Sequence, residues 1–161
     1  MTARVNIRLA RKGDFPELAA LYEQGDAIHR QHLPSLFQKP AGLPREEDFL
    51  LALLDDPEAA LLVAEASGQL VGLVQVFVRA TPEIPILMPR RYATVDNIVV
   101  KESHRRLGIG QVLMEAVHDW ARAQGAAEIE LNVYEFNRQA IALYEKLGYQ
   151  TLSRKMRKSL G

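Results

Sequence analysis

Between a short apolar run, NIVV (Asn97, Ile98, Val99, Val100), and a helix-forming one, QVLMEAVHDWARA, the chain reads RRLGIG, from Arg105 to Gly110. Two arginines and two glycines thus stand where strand character gives way to helix character. The first amides of a helix have no partner within it, and together with the helix dipole they favour an anion by roughly 0.3–1 kcal/mol. Glycines leave those amides uncovered, and Arg105 and Arg106 add positive charge beside them. The turn therefore suits a phosphate or pyrophosphate. It lacks the Gly-Lys-Ser/Thr ending that would bring a Mg²⁺-binding hydroxyl. It also lacks the three-glycine dinucleotide fingerprint. Read alone, it is equally consistent with glycines that only permit close packing.

Other residues capable of chemistry are scattered. Asp96 precedes the NIVV run. Glu130 and Asn132 sit two apart in AEIELNV, so a strand there would point them to one face. His29 and His32 are three apart in HRQHLPSLF, which also holds Phe37. They could meet on one helical turn, but no third ligand is evident, so no metal site is expected. Asn137 precedes a helical run containing Tyr144. The absence of cysteine excludes disulfides, thiolate metal sites and a cysteine nucleophile. Twenty basic residues balance twenty acidic ones, which argues against nucleic acid or an anionic membrane as the main partner. No apolar run approaches the ~18 residues of a membrane span. The opening residues lack the apolar core of a secretory leader, so a cytoplasmic location is expected.

These residues need elements to position them. At 161 residues, without repeats or a dividing linker, the chain is expected to form a single domain over 1–161. VNIRLA alternates as a first strand. Asp14, Pro16 and Glu17 have the pattern of a capping box opening a helix. Residues 29–44 read as a loop or broken helix, and 46–54 as a second helix. Residues 59–78 form a hairpin about Ser67 and Gly68. A proline-rich excursion then leads to a strand over 92–100. Beyond the turn, Ile109, Val112, Leu113, Ala116, Val117 and Trp120 make one apolar helical stripe, closed by Gly125. A strand over 127–133 follows, then a helix capped by Asn137 and stopped by Gly148. Residues 149–160 read as a last amphipathic strand with basic residues outward. Strand, helix, strand around RRLGIG requires parallel strands, whereas the hairpin is antiparallel, so the sheet is mixed.

Arg105-x-x-Gly108-x-Gly110 resembles the Q/R-x-x-G-x-G/A signature of the GNAT acetyltransferases, placed as in that family after a strand and before a long helix. ELNVYEFNRQAIALYEKLGYQ is similar to the family's second segment, and the order of elements agrees over nearly the whole chain. The resemblance implies an α/β fold of the GNAT type: a mixed, mostly antiparallel sheet of six to seven strands flanked by four helices, with its central parallel strands splayed at the cofactor site. It implies acetyl-CoA as co-substrate and no metal. Arg105, Arg106, Leu107, Gly108, Ile109, Gly110 and Gln111 would hold the pyrophosphate, and the backbone of Ile98, Val99 and Val100 the pantetheine arm. Asn137 would touch that arm, and Tyr144 would protonate the departing thiolate.

The implied activity is acetyl transfer to a primary amine. Without cysteine, direct attack in a ternary complex is favoured over a covalent acyl-enzyme. Relatives that acetylate protein N-termini often carry glutamate where this chain has Asn132, so a small amine is the expected acceptor. Candidates for the base are Asp96, Glu130 and His29, or an ordered water. His29, His32, Phe37 and Asn132 would line the acceptor site. The alternative is a non-enzymatic acyl-CoA-binding sensor or regulatory module. Many relatives are dimers, so a homodimer is admitted, though no motif demands one.

Overall fold

A computed structural model describes residues 4–161. The first three residues, part of the stretch read as lacking a leader and of the single domain expected over 1–161, lie outside the described residues. The strands are β1 (Asn6–Leu9), β2 (Ala59–Ala66), β3 (Gln69–Ala80), β4 (Arg91–Val100) and β5 (Glu128–Leu131). The helices are α1 (Phe15–His32), α2 (Glu47–Asp55), α3 (Ile109–Ala123) and α4 (Arg138–Lys146). The strands form one sheet in the order β1-β2-β3-β4-β5. The first three pairings are antiparallel and β4–β5 is parallel, so the sheet is mixed as expected.

β2 and β3 read as nearly continuous apolar runs because both of their faces are covered. Ala60, Leu62, Val71, Val74 and Val76 face α3, whereas Leu61, Val63, Leu70 and Leu73 face α1 and α2. Helix α1 lies close on β4: a Cβ added at Gly25 would come within 2.8 Å of Val99 Cγ2. The buried line of α3 is Ile109, Leu113, Met114, Val117 and Ala121. Val112, Ala116 and Trp120 of the expected stripe lie at its margin. Gly125 and Gly148 follow their helices in the left-handed conformation, with φ of 79° and 94°.

Four expectations need correction. Among the described residues the sheet has five strands rather than six or seven, because residues 150–161 join no strand and are exposed throughout. An amphipathic pattern makes a strand only where a sheet edge receives it. Of the loop or broken helix read over 29–44, residues 29–32 take the helical alternative: α1 continues through His32, and the proline at position 34 stops it only beyond that point. β5 ends at Leu131, two residues short of the expected strand. Asp14 and Glu17 form no capping box on α1. Asp14 instead takes two hydrogen bonds from Arg8 (2.7 and 2.9 Å) and one from the Arg11 amide (2.8 Å). Glu17 accepts from the amide of Leu70 on β3 at 2.8 Å. Tertiary partners outcompeted the local pairing. Among the described residues no helix is long and apolar enough to cross a membrane.

Candidate active site

β4 pairs with β5 only from Tyr92 to Val95, opposite Glu128 to Leu131. It then continues to Val100 with its other edge still held by β3, where Asn97, Ile98, Val99 and Val100 oppose Gln75, Val74, Leu73 and Gly72. The chain leaves β5 after Leu131 into exposed residues from Asn132 to Glu135. The two parallel strands therefore separate beyond Val95, and among the described residues the β5-facing edge of residues 96–100 has no strand beside it. A register shift opposite Gln75 and Val76 marks where they part, and Asp96 is the bulged residue.

At the end of β4 the chain enters a 3₁₀ turn, Glu102–His104. Arg105 folds back, its Nε donating to Val100 O at 3.1 Å, which ties the turn to the strand. Arg106 and Gly108 are both left-handed, with φ of 63° and 81°. This conformation is costly for an arginine and free for a glycine. The combination turns successive amides to one side, a nest suited to anions. Among the described residues, no backbone acceptor serves the amides from Arg106 to Gln111; the first bond of α3 runs from Val112 N to Gly108 O at 3.2 Å. The first turn of α3 has no acidic residue, and its cap supplies no side-chain bond. Gly110 also serves packing, since a Cβ there would meet Leu143 Cδ2 of α4 at 3.1 Å. Leu107 is half-buried and Ile109 belongs to the core, so only their main chain can face a ligand. The Gln111 side chain is engaged by Glu115 and Lys146.

α4 begins beside this region. Asn137 caps it, its side-chain oxygen accepting from Ala140 N at 3.2 Å. About two turns later, Tyr144 is buried at 6% exposure, and burial pushes its hydroxyl up to about 12, so it keeps its proton at neutral pH. Its ring lies 5.7 Å from that of Tyr149, whose hydroxyl is 2.8 Å from His118 Nε2. Burial raises the Tyr149 hydroxyl and lowers the His118 imidazole, which favours a neutral pair.

The two carboxylates differ. Partial burial raises the proton affinity of Asp96, and Arg79, 3.7 Å away, opposes that rise. Glu130 is held by Arg90 at 3.0 Å, an arginine that also meets Glu128 at 3.4 Å and lies over the Tyr92 ring. Because β5 stops at Leu131, the face that Glu130 and Asn132 were expected to share is lost at Asn132.

His29, His32 and Phe37 do converge, around two aromatics that motif reading passed over. The His29 ring contacts Phe37, Tyr134 and Phe136 at centroid distances of 5.3, 5.6 and 5.7 Å. His32 stacks on Phe136 at 4.3 Å. His29 Nδ1 donates to Gly25 O at 2.9 Å, which leaves Nε2 as its basic nitrogen. The available signal was the YEF triplet between β5 and the α4 cap, two aromatics spaced to face one way. Among the described residues no three His, Asp or Glu side chains converge as a metal site would require.

A mixed sheet whose parallel strands part beside an uncapped helix start is an architecture for holding a long anionic cofactor by its backbone-facing groups. The chain belongs to the acetyltransferase (GNAT) family, whose profile matches residues 26–149. It is 30% identical over 146 residues to an uncharacterized N-acetyltransferase, YhfO of Bacillus subtilis, covering 91% of this chain and 90% of that one. Among solved structures, a mutant of the BH1408 protein from Bacillus halodurans superposes with a TM-score of 0.91 at 26% identity, covering 96% of this chain and 99% of the other. An aminoglycoside N-acetyltransferase, AAC(6')-Iy in complex with CoA, shares the fold with a TM-score of 0.73 at 18% identity, covering 96% and 98% of the two chains. This protein is accordingly an acetyl-CoA-dependent acyltransferase.

Proposed function

We propose that this enzyme moves acetyl from acetyl-CoA to the primary amine of a small molecule, by direct attack within a ternary complex. The observation that carries the reading is a run of backbone without a strand or backbone partner, from the β5-facing edge of residues 96–100 to the open amides between Arg106 and Gln111. In this reading the amides hold the pyrophosphate, with Arg106 beside it, and the pantetheine arm lies along Ile98, Val99 and Val100. Asn137 contacts the arm while capping α4. The domain spans the whole chain and works in the cytoplasm.

The chemistry then has defined parts. An alkylammonium with a pKa near ~10.4 is neutral in only about one part in a thousand at pH 7, so a proton must leave before attack. The amine nitrogen forms a C–N bond at the thioester carbonyl as the C–S bond breaks. A backbone N–H of β4 near Val99 or Val100 polarises the carbonyl. Tyr144, protonated in its apolar surroundings, gives its proton to the leaving thiolate. Asp96, at the parting of the strands, accepts the amine proton directly or through water. Glu130 is the weaker candidate because Arg90 already holds it. The rings of His29, Phe37, Tyr134 and Phe136 flank the acceptor, with His32 and Asn132 at the rim. Asn132 supports a small amine over a protein N-terminus.

Thiol release across a panel of amines tests this. Tyr144→Phe is expected to lower kcat by about 10²–10⁴ with little change in the KM for acetyl-CoA, the usual weight of a general acid. Equal kcat in the two proteins would remove Tyr144 from the mechanism.

A further inference from the structure

From Leu70 to Val78, β3 is apolar except at Gly72 and Gln75. Gln75 is only 3% exposed, and a buried amide in an apolar strand is costly unless its groups are bonded. Half of this one is. Tyr22 of α1, fully buried, donates its hydroxyl to Gln75 Oε1 at 2.7 Å, which fixes the direction of the amide. Gln75 Nε2 donates to nothing among the described residues. Every fully enclosed side-chain nitrogen or oxygen among those residues does have a partner. The Nε2 group is therefore not enclosed, and it belongs to the small part of Gln75 that stays accessible.

The neighbours set where it opens. Gln75 opposes Asn97 across β3 and β4, beside the bulge at Asp96 where β5 leaves β4. Cross-strand partners share a face, so Asn97 points to the α1 side as well. Tyr22, Asp26 and His29 stand at i, i+4 and i+7 on α1, a line that leads from Gln75 to the rings around His29. Arg45, between α1 and α2, lies over the Tyr22 ring with its Cζ 4.7 Å from the centroid. Its Nη1 donates to Asp26 at 3.0 Å and to Pro44 O at 2.7 Å, and its Nη2 to Asp26 at 3.5 Å. A guanidinium has five N–H groups, so the Nε–H and one N–H of Nη2 are left over. The pattern is one-sided. Acceptors are engaged, Gln75 Oε1 by Tyr22 and both Asp26 oxygens by Arg45, whereas donors remain on Gln75 and Arg45. Such a place takes an oxygen anion, and a planar guanidinium beside an amide N–H suits a carboxylate.

We infer that the acceptor is an amino acid whose carboxylate is received by Gln75 Nε2 and Arg45. Its amine then stands by Asp96, and its side chain lies toward the rings around His29. In an amino acid the carboxylate is bonded to the carbon that bears the amine. Donors beside the parting of β4 from β5 therefore hold the nitrogen close to the thioester. Gln75 and Arg45 determine specificity and move no proton. The inference rests on the proposed acetyl transfer for its reaction and on these donors for its site.

The common amino acids, each beside its carboxamide and its decarboxylated amine, test it in two measurements. Calorimetric titration into the protein–CoA complex reads the carboxylate site without chemistry. At least one amino acid is expected to bind about 10- to 100-fold more tightly than its decarboxylated amine, the weight of a hydrogen bond to a charged group. Thiol release from acetyl-CoA is expected to follow the same order in kcat/KM. Binding without release supports the carboxylate site and removes acetyl transfer. Release with decarboxylated amines at rates equal to or above those of the acids keeps acetyl transfer and overturns this inference. So does the absence of binding by every amino acid. Gln75→Met made with Tyr22→Phe removes both partners of the buried bond at once, which is the least disruptive way to delete it. Arg45→Gln made with Asp26→Asn removes both charges together. Each pair is expected to shrink the acid-over-amine ratio about tenfold, whereas Tyr22→Phe alone keeps the Gln75 donor and most of the ratio. A ratio unchanged in both pairs overturns the assignment.

Discussion

The starts of α1 and α3 meet the same electrostatic problem and solve it in opposite ways. Ahead of α1, the 3₁₀ turn Lys12–Asp14 is closed by a carboxylate of the chain itself: Asp14 takes the Arg11 amide and the Arg8 guanidinium, and Pro16 presents no amide at all. Ahead of α3 there is no carboxylate; a glycine stands at the cap, left-handed, with arginines before it and open amides from Arg106 to Gln111. The first start is finished by folding, and the second waits for an anion from outside. A helix start without its own counter-charge forgoes about 0.5–2 kcal/mol of capping, and the phosphates of a bound cofactor can restore it.

That contrast can be broken by giving α3 what α1 has. Gly108→Asp installs a carboxylate in the nest at a position whose positive φ aspartate tolerates. Two like charges about 4 Å apart repel by ~4 kcal/mol near a protein surface. The KM for acetyl-CoA is therefore expected to rise about 10²–10³-fold, with Gly108→Asn as the neutral control that moves it only a few-fold. Calorimetric titration of CoA into both variants reads the difference.

Asp96 lies on the strand leading to that start, and changing it should spare docking. Asp96→Asn is expected to lower kcat about 100-fold, within the ordinary range for a general base, while the affinity for acetyl-CoA holds. Burial raises its proton affinity, so its deprotonated, active form appears at higher pH than for an ordinary aspartate. The acid limb of the pH–kcat profile should be displaced upward accordingly and vanish in Asp96→Asn. An unchanged limb would assign the proton to another group.

At α1 the effect should be on stability alone. The Arg8 hydrogen bond holds the Asp14 carboxyl below the usual carboxylate range. Its contribution is thus complete above that range and is lost as pH falls through the range toward the lowered folded value. Asp14→Asn is expected to cost ~1–3 kcal/mol at neutral pH, to flatten that acid dependence in urea melts, and to leave the KM for acetyl-CoA unchanged. The smallest effect belongs to Arg106→Gly. It relieves a left-handed arginine, a strain of ~1–2 kcal/mol, but gives most of that back to the freer unfolded chain. A net gain of about 0.5 kcal/mol is expected, with a two- to five-fold rise in KM from the lost charge.

Much of the candidate site was legible because it is local. The turn, its glycines, the strand before it and the long helix after it are contiguous, so spacing alone exposed them. Asn137 was read as a cap because a cap bonds three residues ahead, and it does. The parallel pairing of β4 and β5 followed from a helical crossover between them. The acceptor cluster was only half legible. His29 and His32 were noticed in a stretch read as loop or broken helix, and Tyr134 and Phe136, about a hundred residues away in sequence, could not be joined to them. Asp14 and Glu17 misled for a related reason: their spacing is that of a capping box, but Arg8 and Leu70 reach them first.

The sequence by itself determined the pieces whose physics is written over a few residues. These are the bare amides of the turn, the apolar period of α3, the glycine stops and the alternation of residues 150–161. Only the tertiary structure decided which of these found partners. It parted β4 from β5 after Val95, tied Glu130 to Arg90, gathered rings from α1 and the β5–α4 loop around His29, and left the last alternating segment without a sheet. The reason is one of range. Backbone geometry and capping act across one turn of chain, whereas charge pairing, aromatic contact and strand addition depend on which distant segments folding brings side by side.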